Sequence, residues 1–340
     1  MTDQAIEMHM PRKGPAGVLT PLERRLPAPA AGEVRVAIEA AGVAYADIVM
    51  RQGLYSGYPL PVTPGYDFVG RIEAIGQAVT GLAVGQRVAG VTIAGSYATR
   101  RNVDARWIVP APENAHPAKI VAATLNGVTA WQMLHRVASV STDDWILVHG
   151  AAGGVGSLLL DMARLAGVRA IGAASANKRA TVVARGAEPV DYRSEDVAER
   201  ARAISHGGVV AAFDHIGGSH FKKVSMPALR SGGVGVLYGG YDATRGGKVR
   251  PLAIADLLMN TWFSSYRLFG RSQGVVGYSA PIWRNERLSA YRSDLERVLA
   301  LVGNGKLDPL IGATYPLAQA AKAHYALESR SVAGKVVLVI

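Results

Sequence analysis

The chain has 340 residues, 49% hydrophobic and 19% charged, too long for one compact core and too apolar for disorder, so two globular domains are expected. Its 39 glycines follow no three-residue period, which with only 17 prolines excludes collagen-like and low-complexity architectures. The absence of cysteine removes disulfides, thiolate metal sites and cysteine nucleophiles, and the net charge of +11 is dispersed rather than gathered into a stripe with interleaved aromatics, which argues against a nucleic-acid surface.

The opening Met1–Glu7 segment carries two acids and no long apolar run, and no window of about 18 unbroken apolar residues follows. A cytoplasmic protein without a membrane span is expected. Eight histidines could ligate a metal, but no two have the i, i+4 spacing that presents two ligands on one helical face, so no metal is expected.

From Gly32 to Pro112, short β-like runs at Glu33–Ala40, Phe68–Ile75, Arg87–Val91 and Tyr97–Val103 are cut by glycines, the pattern of a small barrel-type domain. Ala118–Val137 has a helical period. From Trp145 onward, apolar strands alternate with helices, the sign of an α/β parallel, doubly wound sheet. Strands are expected at Trp145–His149, Arg169–Ala174, Pro189–Tyr192, Val209–Ile216 and Gly233–Tyr238, with a sixth near Tyr266–Phe269. The long Tyr241–Ser265 segment reads as a lid or a solvated loop. Asn285–Gly303 reads as a helix and Lys335–Ile340 as a buried strand.

Trp145–His149, the loop Gly150-Ala151-Ala152-Gly153-Gly154-Val155-Gly156 and the segment Ser157–Ala166 form strand, glycine turn and helix. Small residues let backbone N–H groups approach a pyrophosphate, and the helix N-terminus adds partial positive charge. Leu158, Leu159, Met162 and Leu165 recur at helical spacing and are expected to pack on the sheet. In NAD-selective folds the second strand ends in an acid that binds the ribose hydroxyls. Here it runs Ala174-Ser175-Ala176-Asn177-Lys178-Arg179, with no acid before Glu188, which points to the 2′-phosphate of NADPH.

These segments, with Ala40–Asp47, Arg51–Tyr55, Pro64–Gly70, Val84–Val88, Phe213–Gly218 and Ser329–Lys335, make the chain resemble the medium-chain dehydrogenase/reductase superfamily over essentially its whole length. Within it, the resemblance is to the zinc-independent quinone oxidoreductase (zeta-crystallin-like) branch. It implies a GroES-like β-barrel catalytic domain formed by residues 1–120 and 269–340, and a Rossmann NADPH-binding domain over 121–268. In zinc-dependent members the first catalytic ligand is a cysteine at the position of Ala44 and the next two come from a Gly-His-Glu motif, which here reads Gly65-Tyr66-Asp67.

The resemblance further implies cofactor contacts from Thr129, from the turn Ala152, Gly153, Gly154 and Val155, from Ser175, Lys178 and Tyr192 at the 2′-phosphate, and from Tyr238, Gly239 and Arg330. It implies hydride transfer to a small-molecule quinone or enone, with Tyr45, Tyr55 and Tyr66 as candidate proton donors. A homodimer is expected, paired along the strand around Gly233–Tyr238. Two other activities fit the same motifs: an enoyl-thioester or biosynthetic enone reductase of a tailored metabolite, and a catalytically quiet NADPH-binding protein with nucleic-acid affinity.

Overall fold

The computed structural model describes residues 3–55, 57–260 and 262–340, and it divides the chain into two compact units, residues 1–128 with 280–340 and residues 129–279. Among the described residues no helix is long and apolar enough to cross a membrane.

The first unit is organised by one long strand, Glu33–Val43, which pairs antiparallel along one edge with Asp67–Ile75. Its other edge is shared. Arg100–Asp104 pairs with its first half and Lys335–Val339 with its second, so two partners remote in sequence complete the same edge. Arg87–Val91 and Ile108–Pro110 extend the sheet on one side and Ile311–Pro316 on the other. Val34, Val36, Ile38, Phe68, Ile72, Val88 and Ile108 form its core, and register shifts after Arg35 and Ile38 bend the long strand.

The second unit is a six-stranded, wholly parallel sheet in the order Glu188–Asp191, Arg169–Ala174, Trp145–His149, Val209–Asp214, Leu229–Leu237 and Gly274–Gly277. In chain order this is 3-2-1-4-5-6, the Rossmann arrangement, with its switch point between Trp145–His149 and Val209–Asp214. Leu147, Ile171, Ala212, Phe221 and Leu229 belong to its core.

Several expectations are corrected here. Tyr266–Phe269 is not a strand. Ser264 accepts a hydrogen bond from the Arg267 N–H and starts a helix, Ser265–Arg271, which leaves Tyr266 82% and Phe269 80% exposed. The sixth strand is Gly274–Gly277, too short and too glycine-rich to carry an apolar pattern. Because it pairs with Leu229–Leu237, the latter lies inside the sheet and the edge belongs to Gly274–Gly277. The second unit therefore runs to 279 rather than 268. Leu165 is 42% exposed, since the helix Gly154–Leu165 buries Leu158, Leu159, Leu160 and Met162 instead. The 241–265 segment contains a helix, Pro251–Met259, none of whose residues is buried.

Candidate active site

In the second unit, the strand ending at His149 turns through Gly150, whose φ of +63° a side chain rarely adopts. A Cβ there would also meet the His215 ring at 2.6 Å. The Gly153 N–H closes the turn on the Gly150 carbonyl at 2.8 Å, and the helix begins at Gly154. A Cβ on Gly156 would sit 2.4 Å from the Gly150 carbonyl oxygen, so this first helical turn can follow the loop only if residue 156 is glycine. The leading N–H groups of the helix Gly154–Leu165 have no acceptor within their own helix, and the turn Ala152, Gly153, Gly154 and Val155 stands at its N-terminal end.

The next two strands are in register Ala174 to Asp191, which brings Ser175 and Tyr192 out side by side at their C-terminal ends. Ser175 precedes a short 3-10 turn, Ala176–Lys178, in which the Lys178 N–H bonds back to the Ser175 carbonyl at 2.8 Å. The Ser175 hydroxyl lies 2.6 Å from Asn177 Oδ1. Tyr192 is 43% exposed with the Arg193 guanidinium over its ring, and beside it the Asp191 carboxylate accepts the Arg193 N–H at 3.0 Å. Tyr238 and Gly239 follow the strand Leu229–Leu237. The Tyr238 N–H bonds the Asp214 carbonyl, and its ring stands 5.9 Å from that of His215. Thr129 is buried on the helix Pro117–Gln132.

At the switch point the structure adds a cluster that sequence reasoning missed. The Asp214 carboxylate accepts the N–H groups of Ile216 and Gly217 on Oδ1, and the Ser225 hydroxyl and His220 Nδ1 on Oδ2. Ser225, its hydrogen committed to Asp214, accepts from His149 Nε2 at 3.1 Å. Burial disfavours the Asp214 charge, yet the His220 hydrogen bond, the two nearby imidazoles and Ser225 together hold its carboxyl below the usual range. Burial lowers His149 to about 3 and keeps it neutral.

The three candidate tyrosines lie in the first unit. Tyr45 opens the helix Tyr45–Arg51 and is half-buried. Tyr55 is also half-buried, and its hydroxyl meets that of Tyr66 at 2.5 Å. Tyr66 is only 3% exposed, and burial pushes its phenol far above the ordinary range. It can therefore act on a bound molecule only through Tyr55. Buried Asp47 holds the two segments together, accepting from the Ala44 N–H, the Gly65 N–H and the Tyr97 hydroxyl; burial raises its carboxyl to about 7. Arg330, also in the first unit, has a φ of +58° just after the helix Ala320–Glu328.

The residues at the zinc-ligand positions do not fit that metal. Ala44 has no donor, Tyr66 is committed to Tyr55, and the Asp67 carboxylate, wholly buried, takes the Lys335 ammonium at 3.3 Å and the Leu125 N–H at 3.1 Å. Among the described residues, the grouping of three His or acidic side chains close enough to share an ion is His149, Asp214 and His220, in the other unit and already closed by hydrogen bonds. The signal for this cluster was present in Phe213-Asp214-His215-Ile216-Gly217-Gly218, but His149 and Ser225 meet it only through the sheet order.

Comparison with known proteins gives concordant matches. The sequence fits the alcohol dehydrogenase GroES-like domain over residues 30–113 and the zinc-binding dehydrogenase family over residues 185–338. It is 32% identical to a probable quinone oxidoreductase of Schizosaccharomyces pombe, covering 96% of this chain and 94% of that one. It is 31% identical to the synaptic vesicle membrane protein VAT-1 homolog of Danio rerio over 92% of this chain, and spans 65% of that longer protein. Among solved structures, Escherichia coli quinone oxidoreductase complexed with NADPH is 26% identical with a TM-score of 0.86, covering 99% of this chain and 100% of that one.

Proposed function

The chain belongs to the medium-chain dehydrogenase/reductase superfamily, in its quinone oxidoreductase-like branch, and we propose that it is a metal-free, NADPH-dependent reductase of quinones or α,β-unsaturated carbonyls. The observation that supports this reading is the Tyr55–Tyr66 hydroxyl pair: Tyr66, at a position where zinc-dependent relatives carry a metal ligand, meets the half-buried Tyr55 hydroxyl at 2.5 Å. NADPH, when bound, supplies a hydride to an electron-poor carbon. The loop Ala152, Gly153, Gly154 and Val155 would hold its pyrophosphate, and Ser175, Lys178 and Tyr192 its 2′-phosphate. Thr129, Tyr238, Gly239 and Arg330 are assigned further contacts.

The chain's chemical task is then a single proton delivery. As negative charge moves onto the acceptor's carbonyl oxygen, a donor hydroxyl is required. If Tyr66 gives its hydrogen to Tyr55, the Tyr55 proton is left to point outward, and we assign Tyr55 as the donor. Tyr66 is its buried support. Tyr45, close by in sequence at the helix start, is assigned to line the substrate side. The test is NADPH oxidation against a panel of quinones, enones and aldehydes, with chelator present and NADH as control. Chelator-resistant turnover confined to conjugated acceptors and favouring NADPH is the expected result; turnover abolished by chelator, or directed at unconjugated alcohols and aldehydes, overturns it.

We further propose a homodimer formed through Gly274–Gly277. This strand is the free edge of the parallel sheet, and Trp262, Tyr266 and Phe269, all more than three-quarters exposed, precede it closely in the chain. Sedimentation equilibrium at twice the chain mass supports this; a monomer at micromolar concentration overturns it.

A further inference from the structure

In the first unit a line of hydrogen bonds leaves the helix Tyr45–Arg51, crosses to the helix Ala320–Glu328 and returns. Arg51, Asp47, Tyr97 and His324, its four members, are wholly buried. Arg51 Nη1 lies 3.0 Å from His324 Nδ1, and Nη2 donates to Glu328, so the guanidinium holds two side chains one turn apart on the second helix. His324 Nε2 meets the Tyr97 hydroxyl at 3.1 Å, and that hydroxyl meets Asp47 Oδ2 at 3.2 Å, back on the first helix.

The line has a direction. An arginine donates and never accepts, so His324 Nδ1 accepts from Arg51. Burial and the neighbouring Arg51 charge lower His324 to about 3, so the ring is neutral and carries its one hydrogen on Nε2. Nε2 donates to the Tyr97 oxygen, and the Tyr97 hydrogen is left for Asp47. The N–H groups of Ala44 and Gly65 also donate to Asp47, so all its hydrogen-bond partners are satisfied by an ionised carboxylate. A proton on Asp47 reverses every link. Among those partners the Tyr97 oxygen alone can accept it, which turns the Tyr97 hydrogen towards His324 Nε2. The imidazole must then carry its hydrogen on Nδ1, where it faces the Arg51 guanidinium, donor against donor.

We propose that the proton of Asp47 and the Arg51–His324 contact exclude each other, which makes this line a pH-sensitive switch: with Asp47 ionised, Arg51 grips the C-terminal helix at His324 and Glu328, and with Asp47 protonated it keeps Glu328 alone. The switch is set among the candidate site's own anchors. Asp47 holds Ala44 and Gly65, each directly before a candidate tyrosine, and the gripped helix leads within two residues of Glu328 to Arg330. It operates whatever acceptor the protein reduces. The groups facing Asp47 from the packed elements are Lys335, which favours its charge, and Asp67, which opposes it; Tyr55 and Tyr66 stand nearby as neutral phenols. Burial outweighs the opposing contacts and raises Asp47 to about 7, within reach of ordinary changes of pH.

The test is nitrogen-15 NMR of histidine-labelled protein, in which the signals missing from His324→Gln identify one ring among eight. The unaltered protein is expected to show the Nε2–H form at about pH 9 and the Nδ1–H form at about pH 5. Amide exchange over residues 320–328, corrected for its intrinsic pH dependence, is expected to quicken roughly tenfold or more from the first condition to the second, the fold-change of one lost charge-assisted hydrogen bond. Tyr97→Phe cuts the line and is expected to hold the Nε2–H form throughout. Arg51→Met removes the donor that resists reversal and is expected to raise the midpoint of the tautomer change by about one pH unit or more.

One tautomer over the whole range, or a ring that gains a second N–H at acid pH, overturns the inference in the unaltered protein, whether or not the variants fold. A tautomer change that survives in Tyr97→Phe overturns it as well, because the hydroxyl is then not its path, and so does an unmoved midpoint in Arg51→Met.

Discussion

The Ser225 hydroxyl stands 2.6 Å from the Asp214 carboxylate, and by spending its hydrogen there it obliges the buried His149 imidazole to donate to it. His149 directly precedes Gly150, so this one hydroxyl links the end of the strand Val209–Asp214 to the start of the phosphate loop. Ser225→Ala is expected to leave His149 Nε2 without its acceptor and to cost about 1–3 kcal/mol of unfolding free energy. It is also expected to weaken NADPH binding. Urea unfolding and fluorescence titration measure the two; an unchanged stability removes the cluster from the argument.

Lys178→Ala is expected to raise the Kd for NADPH far more than for NADH. A charge-assisted contact to phosphate is worth roughly 1.5–3 kcal/mol, or roughly 10- to 150-fold. Parallel titrations with the two nucleotides decide it, and equal weakening of both refutes the 2′-phosphate assignment.

Tyr55→Phe is expected to lower turnover of an enone by roughly 100- to 10,000-fold, the span of general-acid assistance, with the NADPH Kd retained. Tyr66→Phe is expected to lower turnover less, because it leaves the Tyr55 hydroxyl in place. Steady-state kinetics with matched nucleotide titrations check both, and undiminished turnover in Tyr55→Phe would remove that phenol from the mechanism.

Asp47 makes stability depend on pH in an unusual direction for a carboxylate. Burial raises it from 3.8 to about 7, so between these values the folded chain holds a proton that the unfolded chain has lost. The contribution is present below pH 4 and disappears as pH rises through 7, reaching at most about 4 kcal/mol. Over pH 5–8, the unaltered protein is expected to lose stability relative to Asp47→Asn, whatever the offset between them. Denaturant unfolding at four pH values measures the slope, and parallel curves defeat the assignment.

The Rossmann unit was legible because its signals are local: a strand, a glycine turn and an amphipathic helix each occupy a dozen residues or fewer, and their order along the chain determines the sheet. Gly274–Gly277 escaped because four residues with glycine at both ends carry no pattern, while the exposed Tyr266 and Phe269 imitate one. The phenols Tyr55 and Tyr66 were visible as residue types within a short stretch. Their support was not. Asp47 draws its donors from Ala44, Gly65 and Tyr97, and Asp214 gathers partners from residues 149, 220 and 225. A buried polar network is made by topology, so its members are individually unremarkable in the sequence.

The shared edge of Glu33–Val43 makes the first unit dependent on chain synthesised long after it. Lys335, the counter-ion of the wholly buried Asp67, sits on the strand Lys335–Val339, so the acid has no compensating cation until that segment arrives. Residues 129–279 hold a complete parallel sheet by then. On the ribosome the nucleotide-binding unit can be finished first, while the unit that began emerging before it waits for a strand made more than 200 residues later to neutralise its interior.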